Sequence, residues 1–262
     1  MAARPYPGLG SSARRIRSLL AESFVIREGG ARDLQDPLSF RTTAHVLGAL
    51  RDALDFASER VAIELNSSQG NPVVVPQEHR IAGSANFEVL PMAQALDLAR
   101  LALAPAITSS QERALKLLDT AWSGLATGLS ASGGSDSGLS ILGIVTQSLT
   151  AEARLLAQPV SFELTTTTTA EGIEDRMTMA PLAARRLAEM VSLGERVVAA
   201  EFVVGTQAVE LRGGEPLGRG TGAALRRVRE EIPFMGPGHP VPVDLDLVSA
   251  LIRSNAFAAT EA

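Results

Sequence analysis

Gln35 and Arg41 stand six residues apart in the run Gln35-Asp36-Pro37-Leu38-Ser39-Phe40-Arg41. Arginine presents a planar fork of N–H donors that matches a carboxylate with two parallel hydrogen bonds, so this segment can grip an acid. A plain surface arginine satisfies the same spacing. Asn86-Phe87 follows a Gly83-Ser84-Ala85 turn just before a helical pattern, where asparagine commonly serves as a cap. Glu174-Asp175-Arg176 precedes the longest helical pattern, and acids in that place gain from the helix dipole without any catalytic duty. Residue types alone leave both readings open at all three places.

Other patterns are weaker. Gly218-x-Gly220-x-x-Ala223 imitates a dinucleotide fingerprint, but no clear strand precedes it, and chance likeness is the better reading. His45, His79 and His239 show no metal-ligand spacing, so each is read as structural or exposed, and no metal is expected.

The elements that must carry these residues are mostly helices. Alanine and leucine dominate and aromatic residues make up only 4% of the chain. His45 to Leu65 reads as an amphipathic helix with Val46, Leu50, Leu54, Ala57, Val61 and Leu65 on its apolar stripe, and Asp52, Asp55 and Glu59 off it. A turn-rich loop over residues 66–72 follows, and Val73-Val74-Val75 fits a short strand. Pro91 to Ala104 forms a second helix. A third is predicted after Ser109, where Ser109-x-x-Glu112 resembles a capping box. Leu139 to Leu156 is apolar enough to be buried on most sides. Thr165 to Thr169 is β-branched throughout and suggests an extended connector. Thr178 can cap a long helix reaching about Leu211. Gly213 to Gly222 reads as a glycine-rich loop, and Asp244 to Arg253 as a short helix. Only Glu201 breaks the apolar run Val197 to Val204.

Composition excludes several function classes. The 262 residues are 45% hydrophobic and 20% charged, enough for a sizeable core. Net charge is −5 with both signs interleaved, which gives no nucleic-acid footprint. The cluster Arg14, Arg15, Arg17 reads as a solvated helix face. No run of about 18 apolar residues predicts a membrane span. Cysteine is absent, so disulfides and thiol chemistry are excluded, which fits a cytoplasmic protein. The arginine-rich N-terminus lacks the apolar core of a secretory signal and reads as ordinary protein.

Taken in order along the chain, the motifs resemble the aromatic amino acid lyase family, which comprises histidine and phenylalanine ammonia-lyases and the related aminomutases. The resemblance rests on the Gln35–Arg41 run, on Gly83-Ser84-Ala85-Asn86-Phe87 and on Glu174-Asp175-Arg176-Met177-Thr178-Met179. Arg4-Pro5-Tyr6-Pro7-Gly8, Glu64-x-Asn66 with Asn71-Pro72, the helix from Met179 to Arg212 and Val228-Arg229-Glu230-Glu231-Ile232-Pro233-Phe234 add to it. Together they cover nearly the whole chain, and they correspond to the second half of such an enzyme.

The resemblance implies an all-α, long-helix bundle that is completed by a partner chain and by oligomerisation. It implies one domain over residues 1–262, with 1–33 packing on it and 213–262 as its C-terminal extension. In this family 4-methylidene-imidazol-5-one (MIO) forms from an Ala-Ser-Gly tripeptide and acts as the electrophile, and a tyrosine from an early loop removes the β-proton. Both belong to the first half, so MIO is expected on a separate N-terminal-half chain, in a hetero-oligomer of the tetrameric lyase type. By resemblance Arg41 grips the substrate carboxylate. Gln35 and Phe87 line the site near the cofactor, Asn86 supports the loop, Leu38 faces the substrate, and Glu174 faces the amine or the imidazolone. Met1, just before Arg4-Pro5, looks like the start of a gene in a split enzyme. Ala131-Ser132-Gly133 matches the cofactor tripeptide by letter but lies downstream of the Gln35 run, where the family's lies upstream, and it is set aside.

Three positions depart from the family. Leu38 replaces a tyrosine and can neither donate a hydrogen bond nor carry a proton. Glu88 stands where histidine or glutamine is usual, and Gly70 replaces an acid before Asn71-Pro72. These changes set a two-component ammonia lyase or aminomutase against a non-catalytic lyase-like scaffold or regulatory subunit.

Overall fold

The computed structural model describes residues 3–30, 34–162, 170–213, 216–241 and 244–258. The proposed connector Thr165–Thr169 lies outside them. The elements run α1 (Pro7–Leu19), α2 (Leu38–Arg41), α3 (Thr43–Leu65), β1 (Val73–Val75), β2 (Arg80–Ala82), α4 (Leu90–Leu118), α5 (Thr120–Ser123), α6 (Ser140–Leu156), α7 (Ala180–Arg212), α8 (Arg219–Glu231) and α9 (Leu245–Arg253). The strands form an antiparallel hairpin pairing Val73 with Ala82 and Val75 with Arg80.

Helices α4 and α7 are the spine, and their contacts fix their relative direction. Leu187 packs with Ala95 and Ala99, Met190 and Val197 pack with Ile107, and Glu201 meets Ser110 and Arg113. Higher numbers on one helix meet higher numbers on the other, so the two run parallel. Helix α6 runs against them, with Gly143 beside Leu115 and Ala153 beside Ile107. The largest cluster gathers Leu118, Leu142, Val203, Val204, Val228 and Val248 where α4, α6, α7, α8 and α9 converge.

Small residues set the closest approaches. A Cβ on Gly8 would stand 2.1 Å from the Gly48 carbonyl oxygen, and the Gly8 N–H donates to Asp52 Oδ1 at 2.7 Å. This crossing buries Gly48 against α1, while Ala57 packs on Ala95 and Ala99 of α4, so the buried side of α3 is Gly48, Ala53 and Ala57, and Leu54 and Leu65 of the expected stripe are exposed. Gly218 and Gly220 fit against Leu19 and Leu20 in the same way. The dinucleotide-like spacing is therefore a packing feature, and α8 begins inside the stretch expected to be loop, because α1 covers its first turn.

Further expectations are corrected. The helices predicted on either side of residues 105–108 are one 29-residue helix with Pro105 inside it, held by continuous packing along α7. Ser109 is mid-helix and caps nothing. Helix α7 begins after Met179, which adopts φ 57°, and Thr178 makes no cap. Helix α6 is not buried on most sides, since Ile141, Ile144 and Leu155 are exposed. Exposed Leu54 and Ile63 of α3 and Leu101 of α4 extend the uncovered apolar surface. The expected C-terminal helix is present as α9, capped by the Asp244 carboxylate accepting from the Asp246 N–H at 3.1 Å.

A buried ion pair stands where α4 meets the end of α6. Arg100 is fully buried on α4, pairs with Asp97, and donates to the carbonyls of Leu156 and Gln158. Asp97 accepts from the Val160 and Ser161 N–H groups at 2.9 and 2.8 Å. Burial pushes the Asp97 pKa up, but hydrogen bonds from Ser161 and Val160 and the Arg100 charge outweigh it, leaving the group below its ordinary value. The pair clamps the chain where it leaves α6 on the way to Glu174.

Candidate active site

Pro37 ends the extended approach to α2, a single turn with no buried residue. Arg41 closes that turn, and its Nη1 donates to Gln35 Oε1 at 2.5 Å. Glutamine thus holds one corner of the guanidinium, and among the described residues no acceptor is paired with its Nε–Nη2 edge. Leu38, the first residue of α2, is 64% exposed. The turn is fastened from below by Arg113 of α4, whose Nη1 donates to the Ser39 carbonyl at 3.1 Å.

Asn86 and Phe87 sit on the turn between β2 and α4. Ser84 fastens this turn to the loop after α3: its N–H donates to Asn71 Oδ1 at 3.1 Å and its hydroxyl to the Gly70 carbonyl at 2.9 Å. Asn86 is not the helix cap. Glu88 serves the start of α4 instead, accepting from the Leu90 N–H at 2.9 Å. Its other oxygen accepts from Arg176 Nη1 at 3.2 Å. Arg176 is two residues from Glu174, so this ion pair brings the Asn86–Phe87 turn and the Glu174 segment together. Asn86, Phe87 and Glu174 are all exposed.

The six candidate residues therefore form two groups. One holds Gln35, Leu38 and Arg41, and the other holds Asn86, Phe87 and Glu174. Among the described residues no hydrogen bond or ion pair joins them. The spine gives their separation. The second group sits at the start of α4 and α7, whereas the first is tied to Arg113 and, through it, to Glu201. At 1.5 Å rise per residue those anchor points are about 35 Å along α4 and about 32 Å along α7. No molecule of amino-acid size touches both groups of one chain.

The set-aside tripeptide Ala131-Ser132-Gly133 occupies a turn before α6, where the Ser132 N–H donates to Ser130 Oγ at 3.2 Å. Hydrogen bonds from the Ser130 and Ser132 hydroxyls and from the Gly138 N–H hold the nearby Asp136 below its ordinary pKa. Among the described residues no group of three or more His, Asp or Glu could hold a metal ion. No helix there is long and apolar enough to cross a membrane.

Sequence reading missed Arg113 and Ser110. Nothing in the spacing pairs Arg113 with Glu201, 88 residues on; the only trace was a carboxylate interrupting an apolar run.

The profile of the aromatic amino acid lyase family matches residues 1–230. This chain belongs to that family. It is 33% identical to the histidine ammonia-lyase of Stigmatella aurantiaca over 96% of its own length and 49% of that protein. It is 32% identical to the histidine ammonia-lyase of Streptococcus gordonii over 98% of its length and 50% of that protein. Among solved structures it superposes on the ergothionase of Treponema denticola with a TM-score of 0.91 at 29% identity, covering 98% of this chain and 51% of that one. The tyrosine aminomutase of Streptomyces globisporus gives a TM-score of 0.87 at 25% identity, with 98% and 52% covered. The chain thus spans about half the length of the relatives it matches. The fold is that of the C-terminal half of the family's long-helix bundle.

Proposed function

We propose that this chain supplies two sides of the pocket of an MIO-dependent ammonia lyase or aminomutase acting on an amino acid-like substrate. Arg41 is the observation that carries the reading: Gln35 holds one corner of its guanidinium, and the free edge matches a carboxylate. Glu174, in the other group, is an exposed carboxylate able to hold a cationic amine or take its proton. Because the groups lie about 30 Å apart along the spine, each pocket takes Arg41 from one copy of the chain and Glu174 from another.

The donor set fits an imidazolone brought by another surface. The Gln35 and Asn86 amides, the Phe87 ring and the Glu174 carboxylate are exposed together with uncovered apolar helix faces. When bound, that group supplies the electrophile that activates the substrate amine. The residues of this chain bind the carboxylate, flank the amine and exclude water. The group and the phenolic base are assigned to an N-terminal half on a separate chain, in a tetramer-type assembly in the cytoplasm. The chain by itself is therefore inactive.

The test is purification of this chain from its native cells with intact-mass measurement of what accompanies it. A companion resembling the N-terminal half and lighter than its encoded mass by two waters supports the reading. A companion at full mass favours a second reading, a non-catalytic scaffold, for which Leu38 in place of tyrosine speaks. If this chain itself is two waters light, Ala131-Ser132-Gly133 is the cofactor source and the assignment to a partner fails.

A further inference from the structure

Helix α2 is one turn long, buries none of its residues and has no side-chain cap. One turn does not hold its own bearing in water, so its neighbours must aim Arg41. The start of α3 contributes the Thr43 hydroxyl, which donates to the Ser39 and Phe40 carbonyls at 3.0 and 2.8 Å, and the contact from the bundle spine comes from α4. Arg113 donates Nη1 to the Ser39 carbonyl at 3.1 Å, inside the turn. Its Nε and Nη2 donate to the two carboxylate oxygens of Glu201 at 2.5 and 2.9 Å, and the Ser110 hydroxyl donates to the same carboxylate. Glu201 stands on α7 among buried Val197, Ala199, Ala200, Val203 and Val204. A carboxylate in such surroundings is costly unless it is paired and hydrogen-bonded. Here both of its oxygens are satisfied, and the two-point pairing fixes the plane of the Arg113 guanidinium, which turns the remaining N–H toward Ser39.

We infer that Arg113 and Glu201 are positioning residues for Arg41. Glu201 orients Arg113, Arg113 holds the Ser39 backbone, and α2 thereby presents the free edge of Arg41 at a fixed angle. The inference rests on Arg41 being the carboxylate grip.

Two readouts on the assembled complex test it, using Glu201→Gln and Arg113→Lys beside Arg41→Ala. Lysine keeps a charge for Glu201 but cannot also reach Ser39 in the fork geometry, so it serves where the glutamine variant fails to fold. The first readout is hydrogen exchange of residues 38–43. About tenfold faster exchange there, with the α4 and α7 amides unchanged, is expected. The second is the steady-state split: about a tenfold rise in KM for the amino acid turned over, with kcat changed much less, because the lost contact binds ground and transition states alike. Unchanged exchange at 38–43 overturns the inference. Faster exchange with unchanged KM, where Arg41→Ala does raise KM, also overturns it and leaves the pair a purely structural tie. If Arg41→Ala itself leaves KM unchanged, the carboxylate-grip reading has failed, and the exchange data show that separately.

Discussion

Arg176, on the segment that carries Glu174, forms an ion pair with Glu88, the residue after Phe87, at 3.2 Å. Here the acid joins two segments that are distant in sequence and caps α4 with its other oxygen.

Glu88→Gln should loosen this junction without unfolding the protein. Both partners are about a third or more exposed, so the pair contributes no more than about 1 kcal/mol. The melting temperature should fall by no more than about 4 °C. Hydrogen exchange should quicken at residues 83–88 and 174–178 and nowhere else. Protection unchanged at both segments would mean the ion pair does not hold them.

Arg41→Lys should raise the KM of the assembled enzyme for its amino acid about tenfold or more. Charge-assisted hydrogen bonds contribute about 1.5–3 kcal/mol each, and lysine cannot offer the planar pair. Since α2 is exposed, the urea midpoint should stay within the range of a surface change. Kinetics indifferent to the substitution would remove Arg41 from the pocket.

Acid stability should depend on Asp97. Its pKa is lowered in the folded state, so its stabilising contribution is present above the ordinary value of 3.8 and is lost as pH falls below that toward the folded value. Asp97→Asn should abolish this part of the pH dependence. It should also cost about 3–5 kcal/mol near neutrality, because buried Arg100 loses its counter-charge. Urea unfolding of both proteins across the acid range measures the two effects together.

Two glycine substitutions should act in opposite directions. In Gly205→Ala the new methyl meets nothing within 4 Å, and removing a helical glycine should stabilise the chain by about 0.5–1 kcal/mol. In Gly220→Ala the methyl would lie 2.9 Å from the Leu19 Cα, which is backbone, so overpacking should cost about 1–3 kcal/mol. Denaturation midpoints of the two variants decide the signs.

What could be read from the sequence followed physical range. The residues of α3, the β1 strand, α9 and the body of α7 were legible because periodicity and capping act locally. The covered side of α3 was legible only at Ala57, because Gly48 faces α1 across a close crossing and Ala57 faces α4, while larger residues such as Leu54 are left outside. Serine and glutamate at 109 and 112 have the spacing of a cap, yet contact with α7 carries the helix straight through them. Arg41 and Glu174 could be named from motifs. Their separation could not, since it depends on two helices running the same way, and neither could Arg113, whose role exists only across the α4–α7 contact.

The parallel course of α4 and α7 also has a genetic consequence. Arg41→Ala and Glu174→Ala, each expected to disable the pocket it enters, alter opposite ends of the molecule. Co-expressed in equal amounts and assembled at random, they should rebuild intact pockets at about a quarter of the sites, if every pocket draws the two residues from different copies. Had both residues belonged to the same pocket of one copy, no mixture could recover any activity. Two broken alleles would thus make a working enzyme, and the fraction recovered would count the copies that meet at each site.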